Sequence, residues 1–194
     1  MYTLNQGNGG IRIADVDTRN GSITTPATGS LTVKPEQFGP LHQLTFTLVE
    51  VPQSVVNGTE YQGTLLYTFP EGRINVLGCT ATLRQKTTST LASTLNASVT
   101  GAIALGTATA SNVSLTSTMV DLLPSTAFTS SATINVAGTA VSAALAAAAQ
   151  FDGTSTAKSM YLNTAFATTT DVDGNATQTI SGTITLTFLW LGDY

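Results

Sequence analysis

Residues 73–86, RINVLGCTATLRQK, are the stretch on which the fold turns. Read at a period of two, they place Ile74, Val76, Gly78, Thr80 and Thr82 on one face, and Asn75, Leu77, Cys79, Ala81 and Leu83 on the other. Such alternation is the signature of a β-strand rather than of a helix. Apolar groups stand on both faces, so the strand is expected centrally in a sheet that is covered on both sides. Gly78 in mid-strand predicts a bulge, or a close approach by another backbone. Cys79 is the only cysteine, which excludes an intrachain disulfide. In this apolar run it reads as a buried free thiol rather than as a nucleophile.

The same period continues to either side. In HQLTFTLVEV (42–51), Leu44, Phe46 and Leu48 alternate with Thr45 and Thr47, and Pro52 closes the run. Asn57-Gly58 reads as a turn, GTLLYTF (63–69) as a strand, and PEG (70–72) as the next turn. Further strands are expected over about 97–105, in SSATINVAG (130–138), in AKSMYLNTAFA (157–167) and in QTISGTITLTFLWLG (178–192), where Gly182 marks a second bulge. AVSAALAAAAQF (140–151) has the best helix propensity in the chain. It is flanked by strands and lacks a charged face, so it is read as extended. SLTSTMVDLLP (114–124) suits a short helix capped by Ser117, or a loop, with Pro124 closing either one. Residues 1–40 differ, because the turn clusters QGNGG, RNGS and TPATGS leave room only for short extended pieces. The expectation is an all-β chain: a β-sandwich or jelly-roll-like domain of eight or nine strands over 41–194, with an extended N-terminal arm over 1–40.

Composition narrows the function classes. Only 9% of the 194 residues are charged, against about 25% in an average globular protein. Polarity comes instead from 37 threonines. Threonine fits a pleated, half-solvated surface. Hydroxyls also cost less to desolvate than charges, so such a surface suits close packing on a partner. The net charge is −4 and the seven basic residues are scattered, which argues against nucleic-acid binding. No leader pattern and no long apolar run is visible, so neither secretion nor a membrane span is expected. The Asn-x-Ser/Thr triplets at Asn20, Asn57, Asn96, Asn112 and Asn175 are read as turns and coincidence.

The segment TTTDVDGNATQTISG (168–182) is the one metal-like motif, with Asp171, Asp173 and Asn175 at alternate positions. An EF-hand would need Gly where Ala176 stands and Glu where Gly182 stands, so that reading fails. A looser calcium loop at these three residues is the remaining metal reading. The favoured one is a hairpin at Asp173-Gly174 joining the last two strands. His42, the single histidine, is read as a surface or boundary residue before its strand. Glu50, Glu60, Glu71, Asp121 and Asp152 show no spacing that singles out a catalytic pair. There is no GxSxG and no Cys/His cluster. No catalytic residue and no cofactor is expected.

Three segments carry a resemblance: YTFPEGRINVLGCTATL (67–83), FDGTSTAKSMYLN (151–163) and SGTITLTFLWLGDY (181–194). Together they resemble the head decoration, or cement, proteins of tailed bacteriophages, over about Gly63 to Tyr194. The resemblance implies a non-enzymatic β-sandwich protein on the outer capsid surface of the virion, made in the host cytoplasm. It implies the major capsid protein as partner, a homotrimer, and stabilisation of capsomer junctions. The arm lies outside the resemblance. From its alternation, IRIADVD (11–17) is the candidate capsid-contact strand, with Ile11, Arg12 and Ile13 as its named residues. The rival expectation is a head-fibre or adhesin-like module that binds glycans or a receptor, which would display exposed aromatics on loops, whereas the few here, Phe38, Tyr61 and Phe151, are scattered.

Overall fold

A computed structural model describes residues 21–26, 28–56, 58–87, 100–129, 141–145, 149–166 and 175–192. Eleven strands lie among them: β1 (Ser22–Ile23), β2 (Ser30–Phe38), β3 (Leu41–Val55), β4 (Tyr61–Thr68), β5 (Gly72–Thr87), β6 (Thr100–Gly106), β7 (Leu123–Thr129), β8 (Val141–Ala144), β9 (Ala149–Gly153), β10 (Ser159–Phe166) and β11 (Ala176–Gly192). They form two antiparallel sheets. Sheet A has the order β1-β4-β10-β6-β7, and sheet B has the order β2-β3-β11-β5-β8, with β9 also paired to β5. With β1 and β2 set aside, the last strand lies beside the first in one sheet, and the penultimate lies beside the second in the other. That nesting is the strand order of a jelly roll.

β5 is central in sheet B, as its sequence predicts, between β11 and the pair β8 and β9. Among the described residues, the covering of both faces is not found. Thr187 pairs with Gly78 while Phe188 pairs with Val76, so Leu77 is an extra residue on β5. This bulge shifts the phase of the strand. Ile74 and Val76 point into the core before it, and Cys79, Ala81, Leu83 and Gln85 after it. Two half-strands of opposite phase had read as one strand with two apolar faces. β3 carries a second bulge. Ile180 pairs with Val51 and Gly182 with Leu48, so the extra residue lies on β3, at Val49–Glu50, opposite Ser181 and next to the predicted bulge residue Gly182. Glu50 takes a positive φ of 52° there.

The core lies between the sheets. Phe46, Tyr67, Phe69 and Phe188 are buried and meet edge to face, with Phe69 at 5.1 Å from Tyr67 and 5.3 Å from Phe188. Such ring pairs add to the area they bury. Cys79 is buried and free, and burial pushes its thiol up to about 12. Native protein at neutral pH is therefore expected to resist iodoacetamide, and to be alkylated at Cys79 only after denaturation, as intact-mass spectrometry would show.

Four other expectations change. His42 is not a boundary residue: it is buried in β3 and stacks on Phe188 with ring centroids 5.0 Å apart and planes 9° apart. Desolvation lowers its pKa below the usual value. The unfolded chain then binds the proton more readily, so stability is lost as pH falls below about 6.5 towards the folded-state pKa. The melting temperature should fall between about pH 7.5 and about pH 5, and by less in His42→Phe. The expected arm over 1–40 divides, because β2 pairs with β3 from Ser30↔Val49 to Phe38↔Leu41, with Gly39-Pro40 as their turn. Residues 1–20, including Ile11, Arg12 and Ile13, lie outside the described residues. The last two strands form no hairpin with each other: β10 lies in sheet A between β4 and β6, and β11 in sheet B between β3 and β5. Their flanks are already taken, so the chain must cross between sheets. Finally, residues 117–119 make one 3-10 turn with no side-chain cap, and Pro124 lies inside β7 rather than closing that turn. The alanine-rich run is extended where described, in β8 and β9.

Candidate interaction surface

The outer faces of the two sheets differ. That of sheet A is covered by the chain itself. The segment 107–122 packs Ala110, Leu115 and Met119 on Ala104 and Ala165. Asn163, fully buried on β10, clamps the segment: its Nδ2 donates to the Ala108 and Met119 carbonyls at 2.9 and 2.8 Å, and its Oδ1 accepts the Ala110 N–H at 2.8 Å. Asp121 accepts both the N–H and the hydroxyl of Thr107.

The outer face of sheet B has no such cover among the described residues, and the strand register arranges it in rows. Thr32, Thr47, Thr183 and Thr82 pair in succession across β2, β3, β11 and β5. The next row is Lys34, Thr45, Thr185 and Thr80, and the one after is Glu36, Gln43, Thr187 and Gly78. The fourth is Phe38, Leu41, Leu189 and Asn75. Two bulge leucines add to this apolar end. Leu77 is 47% exposed, and Leu191, the extra residue between Trp190↔Ile74 and Gly192↔Arg73, is 50% exposed. Phe38 is 72% exposed. The two charges within the four rows, Lys34 and Glu36, are paired at 2.8 Å, so the rows carry no net charge, and the exposed Arg84 lies in the row beyond Thr82. Four strands and four rows span about 500 Å² at ordinary strand and residue spacings.

The sequence-predicted sites fare differently. Asp171 and Asp173 lie outside the described residues, and Asn175 is exposed just before β11. The carboxylates do not converge. Glu50 pairs with Lys86, Glu60 accepts the Gly58 N–H, and Asp152 accepts both the N–H and the hydroxyl of Thr154, bonds that hold its carboxyl below the usual range. Among the described residues, no three His, Cys, Asp or Glu side chains gather as a metal group. Of the three candidate aromatics, Tyr61 and Phe151 pack on apolar clusters and only Phe38 stands free of them. The stripes Thr45-x-Thr47, Thr80-x-Thr82 and Thr183-x-Thr185-x-Thr187 are plain in the sequence, but their alignment into rows is not. Knowing that β11 lies between β3 and β5 is what aligns them.

No family model matches the chain, and neither does any curated protein.

Proposed function

We propose that this protein decorates the outside of a bacteriophage capsid and stabilises the junctions between capsomers. The observation that carries the reading is the threonine-and-leucine face of sheet B, which no described residue covers and whose four rows carry no net charge, set against a sheet A that the chain covers for itself. Hydroxyls and leucines can be dehydrated against a partner without stripping water from unpaired charges. The occupant is the major capsid protein. The resemblance of residues 63–194 to phage cement proteins supports this choice, and jelly rolls are frequent in capsid domains, although fold alone is only analogy. A face of about 500 Å² falls below the roughly 800 Å² per partner of a standard interface. One copy would therefore hold weakly, and a homotrimer linking three such contacts would hold far better. The segment with Ile11, Arg12 and Ile13 would add a strand to an exposed capsid sheet edge.

Quantitative mass spectrometry of purified particles tests the reading. The expected result is a copy number matching the capsomer junctions, and absence from particles overturns it. The exposed Phe38 is the single observation that favours a glycan- or receptor-binding module instead, since an aromatic face is a common sugar platform. Glycan-array binding that Phe38→Ala abolishes, with no particle association, would establish that alternative.

A further inference from the structure

Away from the aromatic core, the space between the sheets turns polar. Gln53 on β3 and Gln178 on β11 pair directly, and Gln85 on β5 is paired with Ile180, two residues along β11. All three are buried. From sheet A, Thr64 and Gln62 on β4 pair with Leu162 and Thr164 on β10, and Leu162 belongs to the core, so this side of both strands faces inward. Direct bonds join the sheets here. Gln53 Nε2 donates to Thr64 Oγ1 at 2.7 Å, and Thr164 Oγ1 donates to Gln53 Oε1 at 3.3 Å.

Gln178 stands outside this exchange. It is 0% exposed, and neither its Nε2 nor its Oε1 meets a hydrogen-bonding group among the described residues. Reversing the amide would not help, since both of its ends lack a partner. Gln62 Oε1 is buried and unpartnered in the same way. An amide brings two donor hydrogens and an acceptor oxygen, and folded proteins very rarely leave such groups unmet. The two glutamines share neighbours: Gln178 is paired with Gln53, which bonds Thr164, and Thr164 is paired with Gln62.

We propose that ordered water occupies this part of the interior and bridges Gln178 on β11 to Gln62 on β4, joining the two sheets. The chemistry of the lining selects water. The unmet groups include donors and acceptors, and the described lining groups, Gln53, Gln62, Gln85, Gln178, Thr64 and Thr164, are all neutral. A cation or an anion would lack a counter-charge, which burial makes costly. The carboxylate nearest in sequence, Glu60, is engaged with the Gly58 N–H. Water offers both hydrogen-bonding roles in one small molecule, and buried waters typically make about three such bonds.

The test uses the full chain. Rotating-frame Overhauser spectra of wild-type protein should show cross-peaks between the Gln178 side-chain NH2 and long-lived water. Gln178→Met, of similar length, should lower the melting temperature by about 2–4 °C, because the water and Gln62 lose a partner. A melting temperature that is unchanged or raised, or a wild-type amide without water cross-peaks, overturns the proposal. If the variant fails to fold, the wild-type spectra decide alone.

Discussion

Gly182→Ala is expected to destabilise the protein by about 3 kcal/mol or more, while Gly78→Ala stays within about 0.5 kcal/mol of wild type. Both glycines lie in long strands at the centre of sheet B, and the sequence marks both as bulge candidates. Their surroundings separate them. Gly182 has a φ of +145°, and a Cβ there would lie 2.1 Å from the Thr82 carbonyl oxygen and 2.9 Å from the Leu83 Cα. Those atoms belong to the backbone of β5 and cannot rotate away. Making room would mean parting β11 from β5 where Gly182 pairs with Leu83, one residue from the bulge at Val49–Glu50. At Gly78 a Cβ meets nothing within 4 Å. For a chain of this length, 3 kcal/mol lowers the melting temperature by about 6–12 °C. Calorimetry of the two variants side by side checks this, and equal melting temperatures would refute the strain assigned to Gly182.

Periodicity made the all-β class legible, because a strand that alternates in sequence alternates in burial wherever its register is regular. It failed where the register slips. The bulge at Leu77 inverts the phase of β5 halfway along, so a correct period led to a wrong inference about its faces. Local turn chemistry was misleading for a related reason. Asp173-Gly174 reads as a hairpin in isolation, but β10 and β11 belong to different sheets, and which sheet a strand joins depends on partners far away in sequence. His42 looked like a boundary residue because a strand start is usually exposed. Its burial follows from Phe188, a residue 146 positions later, reaching it through the β3–β11 pairing. The candidate surface needed the same long-range information. Each Thr-x-Thr stripe is visible alone, but their alignment into rows follows from β11 being threaded between β3 and β5.

If the face of sheet B docks on the shell, Thr185→Lys and Leu191→Glu should each abolish particle association while leaving the fold intact. Thr185 sits mid-row between Thr45 and Thr80, and Leu191 is a half-exposed bulge residue, so neither change opens the core. Each would bring an unpaired charge into a dehydrated contact. At about 2 kcal/mol, the threshold for an interface hot spot, one contact weakens roughly 30-fold. A trimer repeats the loss at each of its contacts, so three linked contacts together lose about 6 kcal/mol, more than 10⁴-fold in affinity. Co-sedimentation with particles stripped of the protein reads this directly, and circular dichroism confirms folding. Ser125→Lys is the matched control, an exposed position on β7 in the other sheet, and it should bind as wild type does. Wild-type occupancy by both face variants would remove sheet B from the interface. Loss of binding by Ser125→Lys alone would move the contact to the edge of sheet A. Loss by all three would show that added charge anywhere on this charge-poor surface prevents docking, in which case the threonine rows confer solubility rather than recognition.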